Sequence, residues 1–249
     1  MSPAFGCCEM KVFVLFVRPY CLVLAGLMAL NLEPELLARH IESTLLRPEA
    51  THADVERLCA QAREFGFAAV CVQGSRVIEA VHLLDGSEVN VVTVVGFPLG
   101  GSDRDVKRYE AETAVDNGAS EIDAVMNIGW FKEGKDKAVL YELRDIVEAA
   151  DERTVKIVIE TALLSPEEIE RACKLVIDSG AYFVKTSTGY AVRGATVEDI
   201  QSIRAAVGPG FGIKAAGGIR DAATALALIE AGADRLGTSS AAMVLRGAA

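Results

Sequence analysis

Lysine is uncommon inside apolar strands because an unpaired ammonium group is costly to bury. This 249-residue sequence nevertheless places two near the ends of such runs: Lys185, closing Tyr182-Phe183-Val184-Lys185, and Lys214, in Ile213-Lys214-Ala215-Ala216. A carboxylate, Asp123, stands in a third run, Glu121-Ile122-Asp123-Ala124-Val125. An ordinary lysine, with a pKa of ~10.4, is protonated at neutral pH; burial and a neighbouring like charge favour loss of the proton and make the amine a nucleophile for carbonyls. That is Schiff-base chemistry. The other role open to each lysine is that of a salt-bridged structural cation, and Asp123 in that position serves proton transfer or charge balance equally well.

The elements that must hold these groups are legible in the periodicity. From His40 onward, short β-rich apolar runs alternate with longer amphipathic ones, the pattern of parallel strands covered by helices. Strands are expected at 40–45, 68–72, 90–95, 121–126, 154–160, 182–185, 211–215 and 234–236, each followed by a helical stretch. Ser102-Asp103 precedes a helix over 103–117, Ser165-Pro166-Glu167-Glu168 opens one over 166–179, and Arg220-Asp221 opens one over 221–231. Gly66, Gly118, Gly180 and Gly232 each follow a helix, where a left-handed C-cap is wanted. No Gly-x-Gly-x-x-Gly follows the first strand, which argues against an open dinucleotide-binding sheet. Eight regular units close instead into a single-domain α/β fold, a (β/α)8 TIM barrel. Strands 6 and 7 of such a barrel lie about 4.8 Å apart, so Lys185 and Lys214 approach each other, while strand 4 brings Asp123 into the same interior.

Functional groups of a barrel gather at the C-terminal ends of its strands. Those positions carry Thr44, Gly96 to Gly100, Asp123, Asn127, Glu160, Lys185 to Gly189, Lys214 to Gly218, and Gly237 to Ser240. Gly217-Gly218 and Ser239-Ser240, with Gly189, offer unblocked backbone N–H groups and hydroxyls where barrels bind phosphate. Arg193 and Arg220 stand nearby as sources of further positive charge.

The composition, 51% hydrophobic and 24% charged, is that of a globular chain with a sizeable core. A net charge of -10 argues against a nucleic-acid or anionic-membrane surface, so an anionic ligand needs a local positive pocket. The six cysteines show no zinc-ligand spacing, and Cys59, Cys71 and Cys173 lie in apolar contexts that predict buried thiols in a reducing cytoplasm. Neither a metal nor another cofactor is expected. Residues 1–27 are apolar but interrupted by Arg18-Pro19, a poor spanning helix and an odd signal segment. They are expected to be an extension that the fold does not need. Met28 opens the domain at 28–249, with Asn31 as a helix cap and Pro34 in the first turn of a helix reaching Arg39.

From about Ile41 to Leu245 the sequence resembles the deoxyribose-phosphate aldolases. The runs that carry the likeness are Thr44-Leu45-Leu46-Arg47-Pro48, Val95-Gly96-Phe97-Pro98-Leu99-Gly100, Glu121-Ile122-Asp123, Lys185-Thr186-Ser187-Thr188-Gly189, Lys214-Ala215-Ala216-Gly217-Gly218-Ile219-Arg220 and Gly237-Thr238-Ser239-Ser240. The resemblance implies a metal-independent class I aldolase that reversibly cleaves 2-deoxy-D-ribose 5-phosphate to D-glyceraldehyde 3-phosphate and acetaldehyde, and that forms dimers or larger homo-oligomers. It implies that Lys185 forms the imine, that Asp123 and Lys214 relay protons, and that Gly189, Gly217, Gly218, Ser239 and Ser240 bind the phosphate. Thr44 then orients a substrate hydroxyl, and Lys156 and Glu42 supply supporting charge. Two departures stand out: the family's usual Ile-Asp-His-Thr is Ile41-Glu42-Ser43-Thr44 here, and the usual Asn-Pro or Tyr-Pro after Val72 is Gln73-Gly74. The competing readings are a class I aldolase for another phosphosugar and a phosphosugar-binding regulator without catalysis; the latter has no need of Lys185, Lys214 and Asp123 together.

Overall fold

Eight short strands pair in sequence order, every neighbour parallel, and the last closes on the first. In the computed structural model, which describes residues 33–248, they are β1 Ile41–Leu45, β2 Ala69–Val72, β3 Asn90–Val95, β4 Glu121–Val125, β5 Thr154–Val158, β6 Phe183–Lys185, β7 Gly212–Ala216 and β8 Arg235–Thr238. The helices are α1 Pro34–Ala38, α2 His52–Phe65, α3 Val77–Leu83, α4 Arg104–Asp116, α5 Ile128–Lys132, α6 Asp136–Ala149, α7 Pro166–Ser179, α8 Val197–Val207, α9 Ala222–Glu230 and α10 Ala241–Arg246. This is the expected (β/α)8 barrel, with an extra short helix, α5, between β4 and α6. The expectations for residues 1–27, Met28 and Asn31 fall outside the described residues. The helix placed near Pro34 is present, but Glu33 occupies its N-cap and makes no side-chain capping bond.

Local chemistry accounts for the boundaries. Ser165 and Glu168 form a reciprocal capping box ahead of α7, with Pro166 in its first turn, and Asp103 and Asp221 accept from Asp105 N and Thr224 N at the starts of α4 and α9. Gly66 and Gly180 end α2 and α7 in the left-handed conformation that glycine adopts without cost. The strands alternate in facing. On β2 and β3, Val70, Val72, Val91 and Val95 pack outward against the helices, whereas Ala69, Cys71, Val92 and Val94 form a separate apolar cluster with Leu46 inside the barrel. The opposite side of the interior is charged: Glu42, Asp123, Lys156 and Lys214 are all fully buried.

Cys59, Cys71 and Cys173 are buried free thiols, and burial pushes them up to about 11, 11 and 12 respectively. A second buried ion pair lies outside the strands. Lys107 of α4 and Glu142 of α6 are both fully buried and meet at 2.8 Å; Lys107 Nζ also donates to Val125 O at 2.9 Å, and Asn127 N donates to Glu142 Oε1 at 3.0 Å. Burial lowers the Lys107 ammonium and raises the Glu142 carboxyl, the signature of charges held at a desolvation cost. The pair clamps the end of β4, just beyond Asp123. Replacing Lys107 with Met leaves Glu142 buried and unpaired and is expected to lower stability by about 3–5 kcal/mol. Adding Glu142→Gln, which keeps an acceptor for Asn127 N, is expected to recover most of that loss. Urea denaturation of the two variants against the parent measures both.

Candidate active site

Asp123 lies at the centre of the charged interior. Lys185 Nζ donates to its Oδ2 at 2.7 Å, Lys214 Nζ donates to the same oxygen at 2.5 Å, and Lys156 Nζ donates to Oδ1 at 3.2 Å. Strand register brings them together: Lys185 is the Cα partner of Lys214 across β6 and β7, and Asp123 is that of Lys156 across β4 and β5. Two further carboxylates balance the three ammonium groups. Glu42 pairs with Lys214 and stands 3.5 Å from Lys156, while Glu121, at the start of β4, pairs with Lys156. Gly237 on β8 makes room for this packing, since a Cβ there would lie 3.1 Å from Lys214 Cε.

The electrostatics follow from that arrangement. Burial alone would raise the Asp123 carboxyl, but the charges of Lys156, Lys185 and Lys214 outweigh it and hold the group well below the usual carboxylate range. Burial alone would lower Lys214; Asp123 and Glu42 outweigh it and hold the ammonium above the ordinary lysine range. The same balance, led by Asp123 and Glu42, raises Lys156. The sequence predicts repulsion between Lys185 and Lys214. The structure inserts Asp123 between them, so Lys214 binds its proton more firmly than a free lysine.

A cleft of about 700 Å³ opens above Lys185 at the C-terminal end of the barrel. Its lining includes Thr44, Lys185, Gly189, Gly217, Gly218, Ser239 and Ser240; Asp123 and Lys214 lie behind Lys185, fully buried. The nine residues expected to catalyse or bind therefore lie close together, seven lining the cleft and two beneath it. Thr44 Oγ1 donates to Glu42 O at 3.0 Å. The two arginines part company. Arg220 lines the cleft, whereas Arg193 donates to Asp199 Oδ1 at 3.0 Å and to Gly194 O at 3.0 Å, its charge already matched. The departures in sequence are absorbed locally: the longer Glu42 reaches Lys214, and Gln73 Nε2 donates to Leu46 O at 2.9 Å.

Several residues were not legible in the sequence. Tyr190 lines the cleft, its hydroxyl donating to Leu46 O at 3.1 Å and its ring edge-on to Phe97 at 5.3 Å; adjacency to Gly189 was its only signal. Gly194 had none: a Cβ there would lie 2.0 Å from Gly217 O. Gly217 in turn would meet Gly189 Cα at 3.2 Å, so three backbone segments touch where the phosphate loops were expected. Glu160 was noted only as a strand-end residue, and it adopts a left-handed conformation with φ 54°.

Comparison with known proteins agrees with this geometry. The model of the DeoC/LacD family aldolases matches residues 39–247. A deoxyribose-phosphate aldolase from a Geobacillus species is 46% identical over 212 residues, covering 85% of this chain and 95% of the relative. The one from Alkaliphilus oremlandii is 48% identical over 210 residues, covering 84% and 95%. Among solved structures, the tetrameric deoxyribose phosphate aldolase from Aeropyrum pernix superimposes with a TM-score of 0.81 at 35% identity, covering 86% of this chain and 91% of that one. An aldolase designated QR15 gives a TM-score of 0.81 at 39% identity, covering 84% and 94%. With a family match that spans the whole barrel and relatives near half identity along it, this chain belongs to the DeoC/LacD family of aldolases.

Proposed function

We propose that this enzyme, a lyase, reversibly cleaves 2-deoxy-D-ribose 5-phosphate to D-glyceraldehyde 3-phosphate and acetaldehyde through an imine on Lys185. One observation carries the reading: Lys185 lines the cleft, and its amine shares a single Asp123 oxygen with the buried Lys214. The relatives named above are deoxyribose-phosphate aldolases, which supports the substrate.

In this mechanism the neutral Lys185 amine adds to the substrate aldehyde carbon, and loss of water gives the protonated imine. The C3 hydroxyl then loses its proton as the C2–C3 bond breaks, and the released pair flows into the imine to form an enamine while glyceraldehyde 3-phosphate departs. Protonation of the enamine at C2 and hydrolysis release acetaldehyde and restore the amine. Asp123 and Lys214 suit the proton traffic, one held ionised and the other held protonated on either side of a shared hydrogen bond. Thr44 faces the sugar. Gly189, Gly217, Gly218, Ser239 and Ser240 receive the phosphate, with Arg220 adding charge at the rim. No metal or cofactor enters this scheme.

The same reading assigns catalysis to residues 28–249, outside the 1–27 extension, with which the start of the family match at residue 39 agrees. It also places the enzyme in the cytoplasm as a homo-oligomer, acting on small phosphosugars and aldehydes. Among the described residues no helix is long and apolar enough to cross a membrane.

Borohydride reduction in the presence of 2-deoxyribose 5-phosphate and a chelator, followed by peptide mass mapping, is expected to place the adduct on Lys185. Lys185→Met should abolish it and cut turnover by at least about 10³-fold. Tight binding of the sugar phosphate with no adduct would instead favour the regulator. Replacing Lys214 with Leu leaves Asp123 to Lys185 and Lys156 and removes a like charge. Turnover should then fall by roughly 10²–10⁴-fold, and the pH profile of imine formation should move to higher pH. An unmoved profile would assign Lys214 to binding or proton transfer alone. A chain starting at Met28 should keep the parent's turnover; a large loss would make residues 1–27 part of the working enzyme.

A further inference from the structure

We infer that Glu160 is a positioning residue for the phosphate end of the cleft: its buried carboxylate holds the Thr188-Gly189-Tyr190 loop in shape from behind. The inference rests on the reading of that loop as a phosphate contact. Glu160 is 4% exposed, and its Oε2 accepts from Thr188 N at 3.1 Å and from the Thr188 hydroxyl at 2.5 Å. Thr188 Oγ1 passes the order on by accepting from Tyr190 N at 3.1 Å. Thus a single carboxylate fixes the backbone on both sides of Gly189.

Two features show that this grip is not incidental. A non-glycine residue at φ 54°, ψ 67° carries a conformational cost and persists only where its surroundings over-determine it. Its second oxygen, Oε1, is buried with no hydrogen-bond partner among the described residues, a further cost. What the site retains for these costs is an acceptor able to take two donors from Thr188.

The effect is local to the loop. Lys185 and Thr186 are secured separately: Ile159 N donates to Lys185 O, Thr161 N to Thr186 O, and Thr186 N to Lys214 O, at 3.0, 2.9 and 3.0 Å. Loss of the Glu160 carboxylate therefore loosens the backbone from Thr188 to Tyr190 and leaves the nucleophile's backbone in place. Because Gly189 packs on Gly217, the disturbance reaches the second glycine loop, which also lines the cleft. Phosphate recognition should suffer and imine chemistry should not.

The test compares the full chain with Glu160→Ala, and with Glu160→Gly, which removes the carboxylate and relieves the left-handed backbone should Ala fail to fold. Kinetics are read on 2-deoxyribose 5-phosphate and on unphosphorylated 2-deoxyribose. The expected result is a rise of about tenfold or more in KM for the phosphate ester, with kcat and the kcat/KM for the free sugar within about twofold. Thr188→Val should reproduce the KM rise, and Thr188→Ser should restore it. Equal losses on both sugars, or no change in KM for the ester, would overturn the inference. Inorganic phosphate provides an arm independent of turnover: calorimetric binding should weaken by about tenfold in the Glu160 variant, and equal affinities would remove Glu160 from this role whatever the substrate. A parent chain that binds phosphate but cleaves no deoxyribose ester would instead fault the substrate reading and leave the phosphate comparison to decide for Glu160.

Discussion

Three ammonium groups around one carboxylate define the middle of this barrel. Asp123 by itself would be expensive to ionise in a fully buried position, and so would Lys156 and Lys214 to protonate. Each is tolerated because the others are present, and Glu42 and Glu121 complete the balance at three charges of either sign. Such a cluster contributes little net stability over an apolar core, since desolvation consumes most of the attraction. What it secures is a fixed charge state at fixed positions. A lysine nucleophile needs a neighbour that takes and returns protons without moving, and a buried, mutually dependent set of charges supplies that more reliably than solvent can.

The surrounding architecture reads as a response to this requirement. Five strands, β1 and β4 to β7, send charged side chains inward, so the apolar interior contacts come from β2 and β3, where Ala69, Cys71, Val92 and Val94 meet Leu46. Stability comes mostly from the outer layer, where the outward strand residues pack against the helices in one continuous core. Division of labour between the two faces of the strands lets the interior carry an arrangement that would unsettle a smaller protein. Closing the sheet also removes every strand edge, and with it the need for polar edge residues.

Much of this was legible before any coordinates. Short β-rich apolar runs placed all eight strands, and helix-start residues with glycine C-caps placed α4, α7 and α9, because each signal is set by a few adjacent residues. The site was legible for a different reason: Lys185, Lys214 and Asp123 are charged residues in apolar strands, which physical cost makes conspicuous. What stayed hidden depends on contacts between distant segments. Gly194 looks like any loop glycine until Gly217 O is found where its side chain would be. Arg193 looks like a phosphate ligand until Asp199, six residues on, takes its charge. Asp123 standing between the two lysines, which offsets their expected repulsion, is a matter of side-chain geometry that strand order alone does not fix.

The contact of Gly189, Gly194 and Gly217 has a bearing on how such an enzyme can diversify. That end of the cleft is walled by main chain packed on main chain, so point substitution has little purchase there: a new side chain at Gly194 or Gly217 would have to displace backbone. Elsewhere the lining is built from side chains, Leu46, Arg57 and Met243 among them, of which Met243 is 62% exposed. One part of the cleft wall is thus set by an element that mutation can hardly edit, and the rest by residues free to drift. Selection, natural or in the laboratory, has room to reshape the cleft through those side chains far more readily than through the glycine contact.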